Sequence, residues 1–515
     1  MQKKNITIGS RGSNLALWQA NFVKHKLSNL GVDSDIKIIK TKGDKIQNLS
    51  FDKMEGKGFF TKEIENALLK NKIDIAVHSL KDLETDQPKG LCIAAIPKRE
   101  DADDVLLINS NSVDESQVFN VIKSPVVGTS SARRKNQLLL FREDVVIKDM
   151  RGNVPTRINK LRTKEYDAIV LAKAGLNRLK IDLSEFYVQE LSVNSFIPAP
   201  GQGALALQTR ESDKDLKRIL EKISHKDSQE NVNFEREILN GINGSCHSPL
   251  GVYSVKDQNG VRTSWVSYSD KVNETPIRFI SKSSDTKAIV NKINSKIYPF
   301  SIWISRILAK DSVFNKLTKS SPISLTAESL IEMKILKIDS LPSCDWIFIN
   351  SAFAVNSIMY LKNSLKSKKI AAFGQSTAKY LQKSGLKVEF VGEGVPSDVA
   401  QSFSSILKSE EKVFFPSSNR SLGTVQSVLE NRNKIVLETY QTLLIDKKVE
   451  NHDFLVFTSP SNVEAFLLSN KVKNQKIISI GPSTTKSLNN AGIVNILESF
   501  QSTELALADA VFSLI

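Results

Sequence analysis

The stretch 345–377 returns, strand for strand, 107 to 108 positions later. Asp345-Trp346-Ile347-Phe348-Ile349-Asn350-Ser351 matches Asp453-Phe454-Leu455-Val456-Phe457-Thr458-Ser459. Phe373-Gly374-Gln375-Ser376-Thr377 matches Ile480-Gly481-Pro482-Ser483-Thr484. Each is an apolar strand, a glycine or hydroxyl group and then a helical pattern, closed by Gly385 or Gly492. A period this long exceeds a solenoid unit and marks a duplicated lobe. The chain beyond about residue 298 therefore folds as two related α/β lobes.

The first half carries a looser pairing. Ile6-Thr7-Ile8-Gly9-Ser10-Arg11 and Val126-Val127-Gly128-Thr129-Ser130-Ser131 are each a short strand, a glycine, hydroxyl residues and a helix start. Free backbone N–H groups at such starts attract anions. Ile73-Asp74-Ile75-Ala76-Val77 and Tyr166-Asp167-Ala168-Ile169-Val170 form a second pair, followed by Lys81 and Lys173. Two lobes facing a cleft account for both pairs. Strands and helices alternate throughout 515 residues, too many for one core, which predicts several α/β domains on parallel sheets. Gly201-x-Gly203-x-x-Ala206 has the form of a dinucleotide fingerprint, but Pro198-Ala199-Pro200 replaces the required strand, so the segment reads as a crossover between lobes.

A formal charge of +15 is the one compositional excess. Nucleic-acid binders gather such charge in runs, whereas here arginines stand singly where strands end. That spacing predicts a small polyanion held in a cleft. The three cysteines, Cys92, Cys246 and Cys344, are too scattered for a disulfide framework or a zinc site, and no metal is expected. The first residues lack a signal-peptide core and no apolar run is long enough to span a bilayer, so the sequence reads as cytoplasmic with no membrane partner.

The run Ile73–Val77 delivers His78-Ser79-Leu80-Lys81-Asp82 to a strand's carboxyl end, where ligands of open α/β sheets bind. Arg11 and Ser13 stand at the first helix start, and Ser131, Arg133 and Arg134 at the second; Arg151, Arg157 and Arg178 follow further strands. The guanidinium fork matches carboxylates, so this repetition predicts a ligand with several of them. Cys246, in Asn243-Gly244-Ser245-Cys246-His247-Ser248-Pro249, lies in a loop and is open to three readings: nucleophile, covalent anchor or inert thiol.

Together with Thr41-Lys42-Gly43-Asp44, Gly56-Lys57-Gly58-Phe59-Phe60, Arg151-Gly152-Asn153-Val154 and Gly201-Gln202-Gly203-Ala204, these motifs make residues 6–296 resemble the porphobilinogen deaminase (hydroxymethylbilane synthase) family. The resemblance implies two periplasmic-binding-protein-like α/β lobes plus a small α+β domain: 1–98 with 197–216, 99–196, and 217–297. It implies a dipyrromethane cofactor joined to Cys246 by a thioether, with Lys81, Arg133, Arg134, Ser131 and Asp44 holding it. Asp82 becomes the acid/base for loss of ammonia from each porphobilinogen and for steadying the azafulvene cation. Arg11, Ser13, Lys57, Arg151, Arg157 and Arg178 become substrate contacts, with Lys57 on a loop over the cleft. Ser245 and Ser248 depart from the family's attachment loop, and Gln208 stands where the family has a glutamate.

Ser305-Arg306, Phe373-Gly374-x-x-Thr377, Glu438-Thr439-Tyr440-Gln441-Thr442, Phe457-Thr458-Ser459-Pro460 and Ile480-Gly481-x-x-Thr484 make residues 299–515 resemble uroporphyrinogen-III synthase. That implies one lobe from 298–335 with 443–515 and another from 336–442. It further implies closure of hydroxymethylbilane with inversion of its last ring, Tyr440 as proton donor, and Thr377, Ser459 and Thr484 as ligand contacts. Helix capping is the competing reading for each hydroxyl, and packing at a hinge the competing reading for Tyr440. The expected partners are small pyrrole polycarboxylates, not nucleic acid, and the expected state is a monomer. The rival is a non-catalytic bilobed anion-binding or sensor protein.

Overall fold

The structure, a computed structural model, describes residues 5–41, 61–245, 247–319, 321–394, 396–421, 423–430 and 433–515. They form two compact units. One comprises the residues up to Phe300 together with Ala309–Ser324 and Ser499–Ile515; the other comprises Ser301–Leu308 and Leu325–Glu498.

In the first unit, β1 (Ile6–Ser10), β2 (Ser34–Ile38), β3 (Ile75–Ser79) and β4 (Leu91–Ala95) build one lobe. A second follows from β5 (Asp104–Asn109), β6 (Val126–Gly128), β7 (Val146–Lys148), β8 (Ala168–Ala172) and β9 (Phe186–Leu191), before β10 (Leu205–Arg210) returns to the first. The strand orders are β2-β1-β3-β10-β4 and β7-β6-β8-β5-β9, the same pattern twice. The sheets are mixed, not wholly parallel as the alternation predicts: β10 runs antiparallel to β3 and β4, and β5 antiparallel to β8 and β9. The cause is connectivity. Each reversed strand is the one that has just crossed from the other lobe. Apolar residues at alternate positions of β1, β3 and β10 (Ile6, Ile8, Ile75, Val77, Leu207) meet Val23 and Leu27 of the helix Asn14–Asn29 to form the first lobe's core.

The two crossovers run side by side. The Glu100 N–H donates to the Gly203 carbonyl at 3.1 Å, and the Val193 N–H to Asp103 Oδ1 at 2.8 Å. Gly203 sits at φ +85°, and a Cβ there would lie 2.4 Å from the Glu100 carbonyl oxygen, so only glycine fits. The 201–203 segment is thus a turn between lobes and has no strand ahead of it.

The unit's third module is the antiparallel meander β11 (Leu250–Lys256), β12 (Arg262–Tyr268) and β13 (Ile277–Ser281), with helices Lys226–Gly241 and Thr286–Asn294. Segments 309–324 and 499–515, read from the sequence as part of the synthase, pack with this unit. Helix Glu504–Ser513 buries Leu507, Ala508, Val511 and Phe512 and lies beside β13.

In the second unit, β14 (Phe300–Ile304), β15 (Ile323–Ala327), β22 (Phe454–Phe457), β23 (Lys476–Ser479) and β24 (Ile496–Glu498) form a sheet ordered β15-β14-β22-β23-β24. The intervening β16 (Ile331–Ile335), β17 (Trp346–Ile349), β18 (Lys369–Phe373), β19 (Phe390–Gly392), β20 (Val413–Ser418) and β21 (Lys434–Leu444) form the other, ordered β16-β21-β20-β17-β18-β19. The internal repeat maps onto matched parallel pairs, β17 with β18 and β22 with β23. Ser351 and Ser459, equivalent in the repeat, each cap the helix after the strand by accepting from the N–H three residues on. Among the described residues no helix is long and apolar enough to cross a membrane.

Candidate active site

β3 carries a buried Ile75-Ala76-Val77-His78 core and ends at Ser79, whose hydroxyl accepts from Gln19 at 2.9 Å. His78 is buried against Gln208 at 3.2 Å, and burial holds its imidazole down to about 4, neutral at physiological pH. The chain then turns through a single helical turn, Leu80–Asp82, anchored by buried Leu80. Lys81 is half-buried there and Asp82 is exposed.

Lys81 meets the second lobe. Its ammonium donates to Gln202 Oε1 at 3.3 Å, and Gln202 Nε2 donates to Asp104 Oδ1 at 3.0 Å and to the Ala102 carbonyl at 2.7 Å. Asp104 also accepts from Arg133 at 2.8 Å and Arg134 at 2.6 Å, both guanidiniums buried. Burial opposes the Asp104 charge, but Arg133, Arg134 and Lys81 hold its carboxyl well below the usual range. Burial pushes the Lys81 ammonium down to about 8, with Arg134 and Arg133 adding to the fall and Asp82 and Asp104 opposing it. Burial likewise lowers Arg157 to about 10, assisted by Arg134 and Arg151 and resisted by Asp82. One carboxylate on the first lobe thus shares a field with Lys81 and with guanidiniums of the second.

The arginines divide by what they touch. Arg133 spends one Nη on Asp104 and the other on the Ile197 carbonyl; Arg134 spends its pair on Asp104 and the Val170 carbonyl. The Nε of each is buried without a partner among the described residues. Arg178 donates to the Gly203 carbonyl at 2.6 Å and lies over Trp18, and burial lowers it to about 10. Arg157 reaches back to the Gly152 carbonyl. Ser13 caps the helix Asn14–Asn29 through Ala16, whereas the Ser131 hydroxyl makes no capping bond to the helix Ala132–Phe141. Arg11 and Arg151 are half-buried. Asp44, Lys57 and Cys246 lie outside the described residues. Lys173, paired with Lys81 by local sequence, instead bridges Asp101 and Glu190.

In the second unit Ser459 is a cap, and its Oγ also accepts from Asn462 Nδ2. Thr484 differs: its hydroxyl is buried without a partner among the described residues, in the first turn of helix Pro482–Asn490. Thr377 is buried in the corresponding turn of helix Gln375–Lys383. Tyr440 lies in β21 opposite Ile335, its ring buried in a lobe core and 5.1 Å from Phe353.

Gln202 and Asp104 are site residues that local sequence does not single out. Gln202 lies inside a motif whose glycines draw the eye, and Asp104 stands close behind Asp101 and Asp103. A carboxylate at the start of a wholly apolar strand, Asp104-Val105-Leu106-Leu107-Ile108, was the available signal. Such a group stays buried only when paired.

Lone buried donors beside a half-buried ammonium fit a ligand with several carboxylates, and the exposed Asp82 supplies a proton-transfer group next to them. A two-lobed α/β protein with an anion-binding cleft and a proton-transfer group beside it is the class this defines. Residues 6–218 match the family model described as porphobilinogen deaminase, dipyromethane cofactor binding domain, and 323–509 match uroporphyrinogen-III synthase HemD. The porphobilinogen deaminase of a Nitratiruptor species is 46% identical over 247 residues, 48% of this chain and 77% of that protein. That of Clostridium novyi is 45% identical over 254 residues, 48% of this chain and 82% of that protein. The solved uroporphyrinogen-III synthetase of Helicobacter pylori aligns with 42% of this chain and 100% of its own length, at 20% identity and a TM-score of 0.33. The chain belongs to the porphobilinogen deaminase family, with a uroporphyrinogen-III synthase domain fused behind it. It is a bifunctional enzyme of tetrapyrrole biosynthesis.

Proposed function

We propose that the first unit joins four porphobilinogen molecules head to tail with loss of ammonia, and that the second closes the resulting hydroxymethylbilane to uroporphyrinogen III with inversion of the last ring. The observation that carries the first reaction is the exposed Asp82 next to Lys81, whose ammonium is linked through Gln202 to Asp104 and the buried guanidiniums of Arg133 and Arg134. Asp82 donates the proton that lets the amine leave and then, as carboxylate, faces the cation that departure creates. Lys81, Ser131 and the Nε groups of Arg133 and Arg134, which have no partner among the described residues, hold acetate and propionate side chains of the dipyrromethane, with Arg11, Ser13, Arg151, Arg157 and Arg178 around the incoming unit. Asp44 joins the residues on the dipyrromethane and Lys57 those on the incoming unit. The dipyrromethane, bound through Cys246, supplies the pyrrole carbon from which the chain grows. Small anionic substrates suit cations gathered around one carboxylate rather than in runs, and the enzyme acts as a cytoplasmic monomer.

In the second unit, ring closure rests on holding one folded conformer of the bilane, for which the buried Thr484 hydroxyl, the buried Thr377 at the matching helix start and Ser459 are suited. Tyr440 is the proton donor to the leaving hydroxyl. Tyr440→Phe tests this: a fall in ring closure on supplied bilane with an unchanged melting temperature supports it, and wild-type turnover assigns the ring to packing alone.

The deciding experiment is the intact mass of the purified enzyme beside Cys246→Ser. The wild type is expected to carry a dipyrrole-sized increment that the variant lacks. An unmodified wild type, still unmodified after incubation with porphobilinogen, overturns the attachment and returns the first unit to an anion-binding role. A product that is mostly isomer I overturns the assignment of the second unit.

A further inference from the structure

The last helix of the chain follows the synthase sequence but belongs to the deaminase unit. Thr503 caps it through Ala506, and Ser513 Oγ accepts the Ile280 N–H of β13 at 2.9 Å. Lys292 donates at 2.8 Å to the Ser513 and Ile515 oxygens at its far end, a favourable place for a cation. At its centre Asp509 grips Arg278 of β13 through two bonds, Nε to Oδ1 at 3.1 Å and Nη2 to Oδ2 at 3.0 Å. Arg278 is fully buried and Asp509 is 3% exposed.

The rest of that guanidinium is aimed elsewhere. Arg278 Nη1 donates to the Ser195 carbonyl at 2.8 Å and Nη2 to the Asn194 carbonyl at 2.9 Å. These residues open the crossover that returns from the second lobe to the first. Two residues on, the Ile197 N–H donates to Gln137 Oε1 at 2.7 Å, and its carbonyl accepts from Arg133 and Gln137, each at 2.9 Å. Arg133 leads to Asp104, Asp104 to Gln202, and Gln202 to Lys81. A continuous route of hydrogen bonds and backbone therefore runs from the final helix to the cation beside Asp82, by way of the irregular 194–197 segment that joins the lobes.

A cleft that holds a primer and then adds four units must keep its lobes in register while its contents lengthen. Domain adjustments of this kind are usually absorbed by a few loop residues, and the crossovers are the segments that connect the lobes. We propose that Asp509 is a positioning residue for the first reaction: by fixing Arg278 it sets the 194–197 crossover and with it the lobe geometry at Lys81. A segment encoded after the second enzyme thereby tunes the first. This rests on the deaminase reading of the first unit.

The test uses the full chain. For Asp509→Asn, bilane formation is expected to fall at least tenfold in kcat with KM within twofold. The ladder of enzyme-bound masses should shift toward partly extended chains, and Asp509→Glu should restore part of the rate. Closure of supplied hydroxymethylbilane should stay within twofold of wild type. Because Asp509→Asn strands a buried guanidinium and can unfold the unit, Arg278→Met/Asp509→Leu is made alongside, since an apolar replacement of a buried pair commonly folds. That double variant keeps the packing and loses the crossover contacts, so the same rate loss and ladder are expected. Wild-type kcat and ladder in the folded double variant overturn the proposal and leave the helix a stabilising clasp. Wild-type enzyme that makes no bilane refutes the deaminase reading instead, a separate outcome.

Discussion

Lys81 Nζ donates to Gln202 Oε1 across 3.3 Å, so the cation beside Asp82 is tied to the crossover between lobes and not to a neighbour on its own strand. The consequence is a dependence on pH. With the ammonium lowered to about 8, its charge is lost as pH rises through that value, well below where an ordinary lysine titrates. Uptake of the dipyrromethane by apoenzyme is expected to decline above about pH 8, where Lys81 loses its charge. Lys81→Arg, always charged, moves that decline to higher pH. A wild-type profile flat to about pH 10 contradicts it.

Asp82 is exposed, so removing its charge costs little folding energy, within about 0.5 kcal/mol. Asp82→Asn should therefore melt with the wild type. Its rate of bilane formation should fall by about 100- to 10,000-fold, the usual worth of a positioned acid or base. Single-turnover release of ammonia is the measurement, and near-normal turnover refutes the role.

Asp104 sits at the opposite extreme. Its carboxylate is buried among Arg133, Arg134 and Gln202, and Asp104→Ala leaves two guanidiniums buried without it. A destabilisation of about 3–5 kcal/mol is expected in denaturant unfolding of the first unit. A loss of less than about 1 kcal/mol would mean the arginines find other partners.

Thr484 separates ligand binding from capping. Its buried hydroxyl has no partner among the described residues, so Thr484→Val removes a desolvated polar group and should leave stability equal or higher. Ring closure of hydroxymethylbilane should meanwhile weaken about tenfold in kcat/KM, as one lost hydrogen bond to ligand predicts. A drop in melting temperature with unchanged kinetics identifies the hydroxyl as structural.

Local periodicity made much of this molecule legible. The repeat at 345–377 and 453–484 appears as matched strand pairs, and the strand before Lys81 appears as β3, displaced two residues to Ile75–Ser79. What local pattern missed is pairing over distance. Arg133 and Arg134 read as ligand groups, yet most of their donors go to Asp104, Val170 and Ile197, which are remote in sequence. Lys173 matches Lys81 by position and differs from it because Asp101 and Glu190 stand nearby. The reversed strands β5 and β10 follow from the route of the chain between lobes, which no single segment encodes. Ser459, which the sequence leaves open between ligand contact and helix cap, makes the capping bond, as does its repeat partner Ser351.

Because Ser499–Ile515 completes the first unit, the order of synthesis does not match the order of assembly. Residues 325–498 must leave the ribosome before the segment that seats Arg278 is made. At about 5–20 residues per second that is a delay of roughly ten to thirty-five seconds. Over that interval the nascent deaminase holds an arginine in β13 whose carboxylate has yet to be translated.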